Sequence, residues 1–120
     1  MSTFAMPTEF LRVADPRAFA AEARQQGKFV VWIPSTVRSK EKLLGVLSQS
    51  LRFPNYFGWN WDALEECLQD LSWLPANSQI AIVHEALPFG AGENRQVYCD
   101  ILRAATQRAD GRVIEVVVCE

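Results

Sequence analysis

Three short apolar runs, rich in β-branched residues, are the feature of this 120-residue sequence that most limits its fold. They lie within residues 29–33, 79–84 and 113–118, where the polar residues are only Gln79, His84 and Glu115, and each lies close to a glycine or a proline. A short run that is almost wholly apolar is typical of a strand in a sheet buried on both faces. Segments of helical pattern separate the runs, so the sequence predicts βαβ units. We therefore expect an α/β fold in which a small three-stranded parallel sheet is packed with helices.

Helix end signals divide the rest of the chain. Asp15-Pro16, Ser39 and Asn60 are good N-cap positions, because their side-chain oxygens can accept hydrogen bonds from the free amides of a first helical turn. Gly27 follows the first helical segment, at a position where glycine commonly ends a helix. The predicted helices lie near residues 16–26, 40–51, 60–71 and 93–109.

The stretch from Leu51 to Trp73 combines six aromatic residues with four carboxylates. Pro54-Asn55 indicates a turn, and Gly58 permits backbone angles that are closed to other residues. A helical pattern follows the turn. The stretch therefore predicts an aromatic loop that leads directly into a short helix.

This helix is predicted to have an apolar side and an acidic side. Asp62 and Glu66 lie one turn apart on the same face, about 6 Å along the helix axis. No lysine or arginine occurs between Trp59 and Trp73. Such a local negative field can attract a cationic partner even where net charge is small. The apolar side consists of Leu64, Cys67, Leu68 and Leu71.

The same pattern also has ordinary structural explanations. Acids in the first turn of a helix offset the macrodipole, and they are common for that reason alone. Aromatic residues usually belong to the core, and Cys67 fits a small core residue. Exposed aromatics beside a polar rim, however, mark interfaces. The residue pattern alone leaves both interpretations open.

Composition excludes several classes of function. The net charge is −2 and the pI is near 5.4, whereas a nucleic-acid binder usually has a basic face, so we expect no direct nucleic-acid partner. No apolar run is long enough to span a membrane and no signal peptide is apparent, so we expect a cytoplasmic protein with no membrane partner. The odd number of widely spaced cysteines, at Cys67, Cys99 and Cys119, argues for reduced thiols and against a zinc site.

The segment Pro54–Leu64, PNYFGWNWDAL, followed by Cys67-Leu68, resembles the barstar family of ribonuclease inhibitors. The resemblance covers roughly residues 28–119, and it implies a barstar-like domain over residues 28–120. Residues 1–27 are then an N-terminal extension with a helix. Within this extension, residues 1–14 are weakly patterned, and we expect them to be loose or partly disordered.

In that family, the loop and the following helix block the active site of a small secreted ribonuclease. The resemblance implies the same role here, with a basic extracellular-type ribonuclease or a nuclease toxin as partner. Three positions depart from the namesake: Glu66 replaces an aspartate, Glu65 a tryptophan and Trp59 a glutamate. A glutamate that the namesake uses on its last helix falls near Ala104. The implied partner-binding residues are Tyr56, Gly58, Trp59, Asn60, Asp62, Glu65 and Glu66.

Two alternatives belong to other classes. An enzyme could use Asp62 and Glu66 as acid and base, but the pattern shows no cleft that would separate their pKa values. His84, the sole histidine, is more typical of a surface or strand-end residue than of a catalytic base, and a few carboxylates would hold Mg²⁺ only weakly. We therefore predict no catalytic residue, cofactor or metal. The second alternative is a barstar-fold interaction module with a partner other than a ribonuclease.

Overall fold

A computed structural model describes residues 10–90, 92–108 and 110–120. Within these ranges the chain forms an α/β fold with one parallel sheet in the order β1-β4-β3-β2. The strands are β1 (Phe10–Val13), β2 (Phe29–Ile33), β3 (Gln79–His84) and β4 (Val113–Cys119). The helices are α1 (Pro16–Gln25), α2 (Lys40–Ser50), α3 (Trp61–Asp70) and α4 (Glu93–Ala105).

Helices cover both faces of the sheet, as the continuous apolar runs predict. Successive side chains of a strand point to opposite faces, so Ile80 and Ile82 of β3 lie in the larger core with leucines of α2, α3 and α4. Ala81 and Val83 lie in a smaller core on the other face. The small residues of α1, Ala20 and Ala23, pack against that face. The parallel arrangement and the complete burial of Ile82 confirm the predicted fold class.

The prediction of three strands is wrong by one, because Phe10–Val13 pairs in parallel with β4 at the edge of the sheet. This strand has only four residues, and Leu11 and Arg12 in its middle are exposed. An edge strand needs no continuous apolar run, so its pattern is weak. Residues 10–13 are therefore not a loose extension. Residues 1–9 lie outside the described ranges.

The predicted helix starts are confirmed in atomic detail. The side chain of Asp15 accepts a hydrogen bond from the amide of Ala18 at 3.1 Å, and that of Ser39 accepts one from Lys42 at 3.2 Å. Gly27 has a φ of 81°, which suits a residue just past a helix end. The last helix ends at residue 105, four residues before the predicted end at 109.

His84 is fully buried, so the expectation of a surface residue is wrong, whereas that of a strand-end residue is confirmed. It is the last residue of β3, and its Nδ1 lies 2.9 Å from the carbonyl oxygen of Val117. A carbonyl only accepts, so Nδ1 carries the proton and Nε2 accepts from the Tyr98 hydroxyl at 2.8 Å. Burial lowers the pKa of His84 to about 4.

The described residues contain no helix that combines the length and the apolarity needed to cross a bilayer. The three cysteines are free, with Cys67 and Cys99 buried and Cys119 exposed. Only 6% of the surface of Cys67 is exposed, and the residue belongs to the core, as its position on the apolar side of the helix predicts.

The buried histidine predicts that stability falls with acidity. The folded-state pKa of His84, about 4, lies below its ordinary value of 6.5. Between these two values the histidine is protonated in the unfolded chain but neutral in the folded chain. The free energy of unfolding should therefore decrease by about 2 kcal/mol from about pH 7.5 to about pH 5. Urea unfolding across this range measures the effect.

The control for this measurement is His84→Asn, whose side-chain amide can still donate to Val117 but does not titrate. Its stability should be lower overall and nearly independent of pH over the same range. A wild-type profile as flat as that of the variant would contradict the assignment of the neutral, buried ring.

Candidate partner-binding site

Asn60 connects the aromatic loop to α3 through two hydrogen bonds. Its side-chain oxygen accepts from the amide of Ala63 at 2.8 Å, which confirms the predicted N-cap. Its Nδ2 donates to the carbonyl of Gly58 at 3.3 Å. One side chain thus holds the loop and satisfies the first turn of the helix.

Gly58 does not use the backbone freedom that the sequence predicts for it. Its φ is not positive; the left-handed conformation belongs instead to Trp59, with a φ of 57°. A Cβ on Gly58 would lie 3.4 Å from Nδ2 of Asn60 and 3.5 Å from Cβ of Ala63. Both distances are ordinary van der Waals contacts, so the space at this position would also admit a Cβ.

Contacts among aromatic side chains hold the loop in place. Phe57 is buried, and its ring centroid lies 4.9 Å from that of Phe53 and 5.3 Å from that of Trp59. The indole nitrogen of Trp73 donates to the carbonyl of Leu51 at 2.9 Å. These contacts leave Tyr56 projecting into solvent with 76% of its surface exposed.

The first turn of α3 is held by Trp61. Its ring stacks on Tyr98 of α4 with centroids 6.2 Å apart, and it meets the edge of Phe89 at 6.1 Å. The ammonium of Lys40 lies 5.7 Å from the centroid of the same ring. Trp61 therefore belongs to the structure that supports the site.

The last turn of α3 is held by Arg108. Its guanidinium donates to the carbonyls of Leu68, of Gln69 at 3.1 Å and of Asp70 at 3.2 Å. These are carbonyls that a helix end leaves without partners, and a positive charge there offsets the macrodipole. Asp110 accepts from the same guanidinium at 2.8 Å. That hydrogen bond is the main reason why the pKa of Asp110 lies far below its usual range.

A groove of about 750 Å³ runs between the loop and the exposed face of α3. It combines aromatic and small residues with carboxylates and amides. Its lining consists of Tyr56, Phe57, Gly58, Asn60, Asp62, Ala63, Glu66, Cys67, Gln69 and Asp70.

Three carboxylates lie in this groove at four-residue intervals, Asp62, Glu66 and Asp70, so successive ones are about 6 Å apart along the axis. All three are exposed, and within the described part of the chain none forms an ion pair. The negative charges also act on Cys67, on the buried face of the helix. Burial raises the pKa of the Cys67 thiol, and the negative charges of Asp70 and Glu66 raise it further. The groove can therefore bind positively charged groups.

A family model described as Barstar (barnase inhibitor) matches residues 27–119. The chain belongs to the barstar family. A comparison with curated proteins yields no match. The matched segment contains the loop, all of α3 and every residue of the groove.

The structure shows where the seven residues that the barstar resemblance implies lie relative to the groove. Five of them line the groove: Tyr56, Gly58, Asn60, Asp62 and Glu66. The other two, Trp59 and Glu65, are exposed but do not line it. The ring of Trp59 turns toward α2, where its nearest atom would lie 3.9 Å from a Cβ on Gly45. The role of all seven residues in binding stays a prediction.

Sequence reasoning missed Asp70 and Gln69 at the far end of the groove. The motif that carried the barstar resemblance ends at Leu68, and both residues follow it. The available signal was spacing: Asp70 follows Glu66 by four residues, as Glu66 follows Asp62, so all three share a face.

The described residues contain no group of three potential metal ligands that could hold an ion. His84 is fully buried, and both of its ring nitrogens are hydrogen-bonded. The barstar family is a family of inhibitors, and the groove contains carboxylates without an accompanying histidine, lysine or arginine.

The Asn60 cap provides a test of how the site is built. Asn60→Ala should reduce the free energy of unfolding by about 1 kcal/mol, because the amide of Ala63 loses its acceptor. Asn60→Asp keeps an acceptor of the same shape and should retain most of that stability. Chemical denaturation compares them; equal losses in the two variants would show that the bond to Gly58, and not the cap, carries the effect.

Proposed function

We propose that this protein is a cytoplasmic inhibitor, or immunity protein, that binds and blocks the cationic active site of a small ribonuclease. The observation that carries the proposal is the line of three carboxylates in the α3 groove, without ion-pair partners among the described residues. Membership of the barstar family supports it. The protein would act by occupying the active site and not by catalysis.

The chemistry follows from what a ribonuclease must bind. Its active site holds arginine, lysine and histidine side chains that receive the phosphodiester of RNA. Carboxylates on a rigid helix can replace the phosphates and form charge-assisted hydrogen bonds with those cations. The exposed ring of Tyr56 beside them would add apolar contact and exclude water from the charged pairs.

A second candidate keeps the fold and changes the partner: a barstar-fold interaction module that binds a protein other than a ribonuclease. Two observations favour it. Trp59 and Glu65, which replace charged and aromatic contacts of the namesake, do not line the groove. Ala104, near the position of the namesake's last-helix glutamate, has no charge to offer.

Affinity capture from the source cells separates the two candidates. The whole chain is immobilised, captured proteins are identified, and RNA cleavage by the eluate is measured with and without added chain. Recovery of a small basic nuclease whose activity the chain suppresses supports inhibition. Recovery of another protein at equal stoichiometry, with no suppressible nuclease, supports the second candidate.

If the groove carboxylates act as phosphate mimics, removing them should weaken binding without harming the fold. Asp62→Ala and Glu66→Ala should each reduce the binding free energy by at least about 2 kcal/mol. Glu22→Ala on α1 removes the same charge from the opposite side of the sheet and should leave affinity nearly unchanged. Kinetic binding to the captured nuclease and thermal melts test this. A double variant that binds like wild type would contradict the role of the helix.

Salt should distinguish the charged contacts from the apolar one. Higher ionic strength should slow association of the wild type more than that of the Asp62→Ala, Glu66→Ala double variant, because steering by charge is screened. Tyr56→Ala should weaken binding while keeping the salt dependence of the wild type. Stopped-flow association at several salt concentrations makes the comparison, and equal salt slopes for wild type and double variant would exclude steering by this face.

A further inference from the structure

The connections that follow β1 and β3 leave the sheet on opposite faces. These two strands are the neighbours of β4. The chain passes from β1 to α1, which packs on the face of Ala81 and Val83, and from β3 to α4, which packs on the other face with Ile82. In open parallel sheets, ligands bind outside the carboxyl ends of the strands, at the point where such connections part. Here that point is the carboxyl end of β4.

A crevice of about 440 Å³ lies at this end of β4. It is lined by Phe10 and Arg12 of β1, by residues 85–87 after β3, by residues 118–120 at the end of β4, and by Arg95 of α4. None of these residues lines the α3 groove. The volume is in the range of small-molecule sites, and the lining combines apolar side chains with a few charged ones, as such sites do.

Arg95 brings a positive charge without a counter-charge to this crevice. Its Nη2 donates to the carbonyls of Leu87 at 3.2 Å and Phe89 at 2.6 Å, which fixes the side chain against the segment after β3. Its Nε is buried and has no hydrogen-bond partner, and no carboxylate in the described part of the chain pairs with it. Arg112 also has a buried Nε without a partner, but Asp110 neutralises that guanidinium at 3.1 Å.

The two glutamates of the crevice leave Arg95 unpaired. The carboxylate of Glu85 accepts from the amide of Ser35 at 2.8 Å and from Arg17 at 3.2 Å, and these contacts lower its pKa. Glu120 is exposed, so water screens its charge. A partly buried charge is normally paired. The missing counter-charge of Arg95 therefore points to an anionic ligand.

We propose that this crevice is a binding site for a small molecule that carries one carboxylate on a short apolar body. The carboxylate pairs with the guanidinium of Arg95, and Arg12 adds positive charge from β1. Phe10, Leu87 and Val118 supply the apolar contacts. The site is separate from the α3 groove, so this proposal does not depend on the inhibitor function.

The test uses Cys119, the exposed one of the three thiols, which lines the crevice. Its alkylation by iodoacetamide is followed by mass spectrometry on the whole chain at constant ionic strength. Benzoate is the probe, and benzamide is its neutral counterpart of the same shape. Both should protect the thiol, and benzoate should reach half-protection at a concentration about tenfold lower, as a hydrogen bond to a charged group provides.

Three variants assign the effect to the crevice. Arg95→Gln should remove the advantage of benzoate over benzamide, because the counter-charge is lost. Arg24→Gln on α1 removes the same charge outside the crevice and should keep the advantage. Glu120→Gln removes a carboxylate whose side chain forms no hydrogen bond among the described residues. It should tighten benzoate and leave benzamide unchanged.

Equal protection by benzoate and benzamide in wild type would overturn the proposal, as would the same advantage in Arg95→Gln as in Arg24→Gln. Protection by inorganic phosphate in place of benzoate would overturn the assignment to a carboxylate. If a thermal melt shows that Arg95→Gln does not fold, Glu120→Gln decides: unchanged benzoate affinity in that variant contradicts an anion site.

Discussion

The position of the candidate site depends on a buried line of contacts that joins α3 to the middle of the sheet. Trp61 stacks on Tyr98, the Tyr98 hydroxyl donates to His84, and His84 donates to the carbonyl of Val117 in β4. The side chains of His84 and Tyr98, which are both fully buried, each have a hydrogen-bond partner, as buried polar groups require. Burial also raises the pKa of Tyr98 far above its usual range, so both side chains stay neutral. The line therefore orients the helix without introducing a buried charge.

The two ends of α3 are fixed by different chemistry, and this matters for recognition. Asn60 satisfies the amides of the first turn, and Arg108 satisfies the carbonyls of the last. Between them, three exposed carboxylates repel one another on a helix whose two ends are both held by hydrogen bonds. A surface of this kind is ordered before a partner arrives, so little conformational entropy is lost on binding. Its repulsion is relieved when cations occupy the groove, which favours a charged partner over a neutral one.

Most of the fold could be predicted from the chain because its signals are local. Apolar runs marked β2, β3 and β4, and Asp15, Ser39 and Asn60 marked helix starts through hydrogen bonds to residues three positions away. The edge strand β1 was missed because it pairs with residues about a hundred positions later and buries little surface of its own. The burial of His84 was missed for a similar reason: its partners, Val117 and Tyr98, lie on other elements.

The sequence by itself determined the α/β class, the aromatic loop, the helix start at Asn60 and the family resemblance. Each of these depends on the pattern of residues within a short segment of the chain. Tertiary structure alone decided which of the marked residues share one surface. It grouped Tyr56 with the helix carboxylates, turned Trp59 toward α2, and extended the groove to Asp70. The physical reason is that a groove is formed by the packing of a loop against a helix, and packing depends on contacts between residues far apart in the chain, such as that of Arg108 with the end of α3.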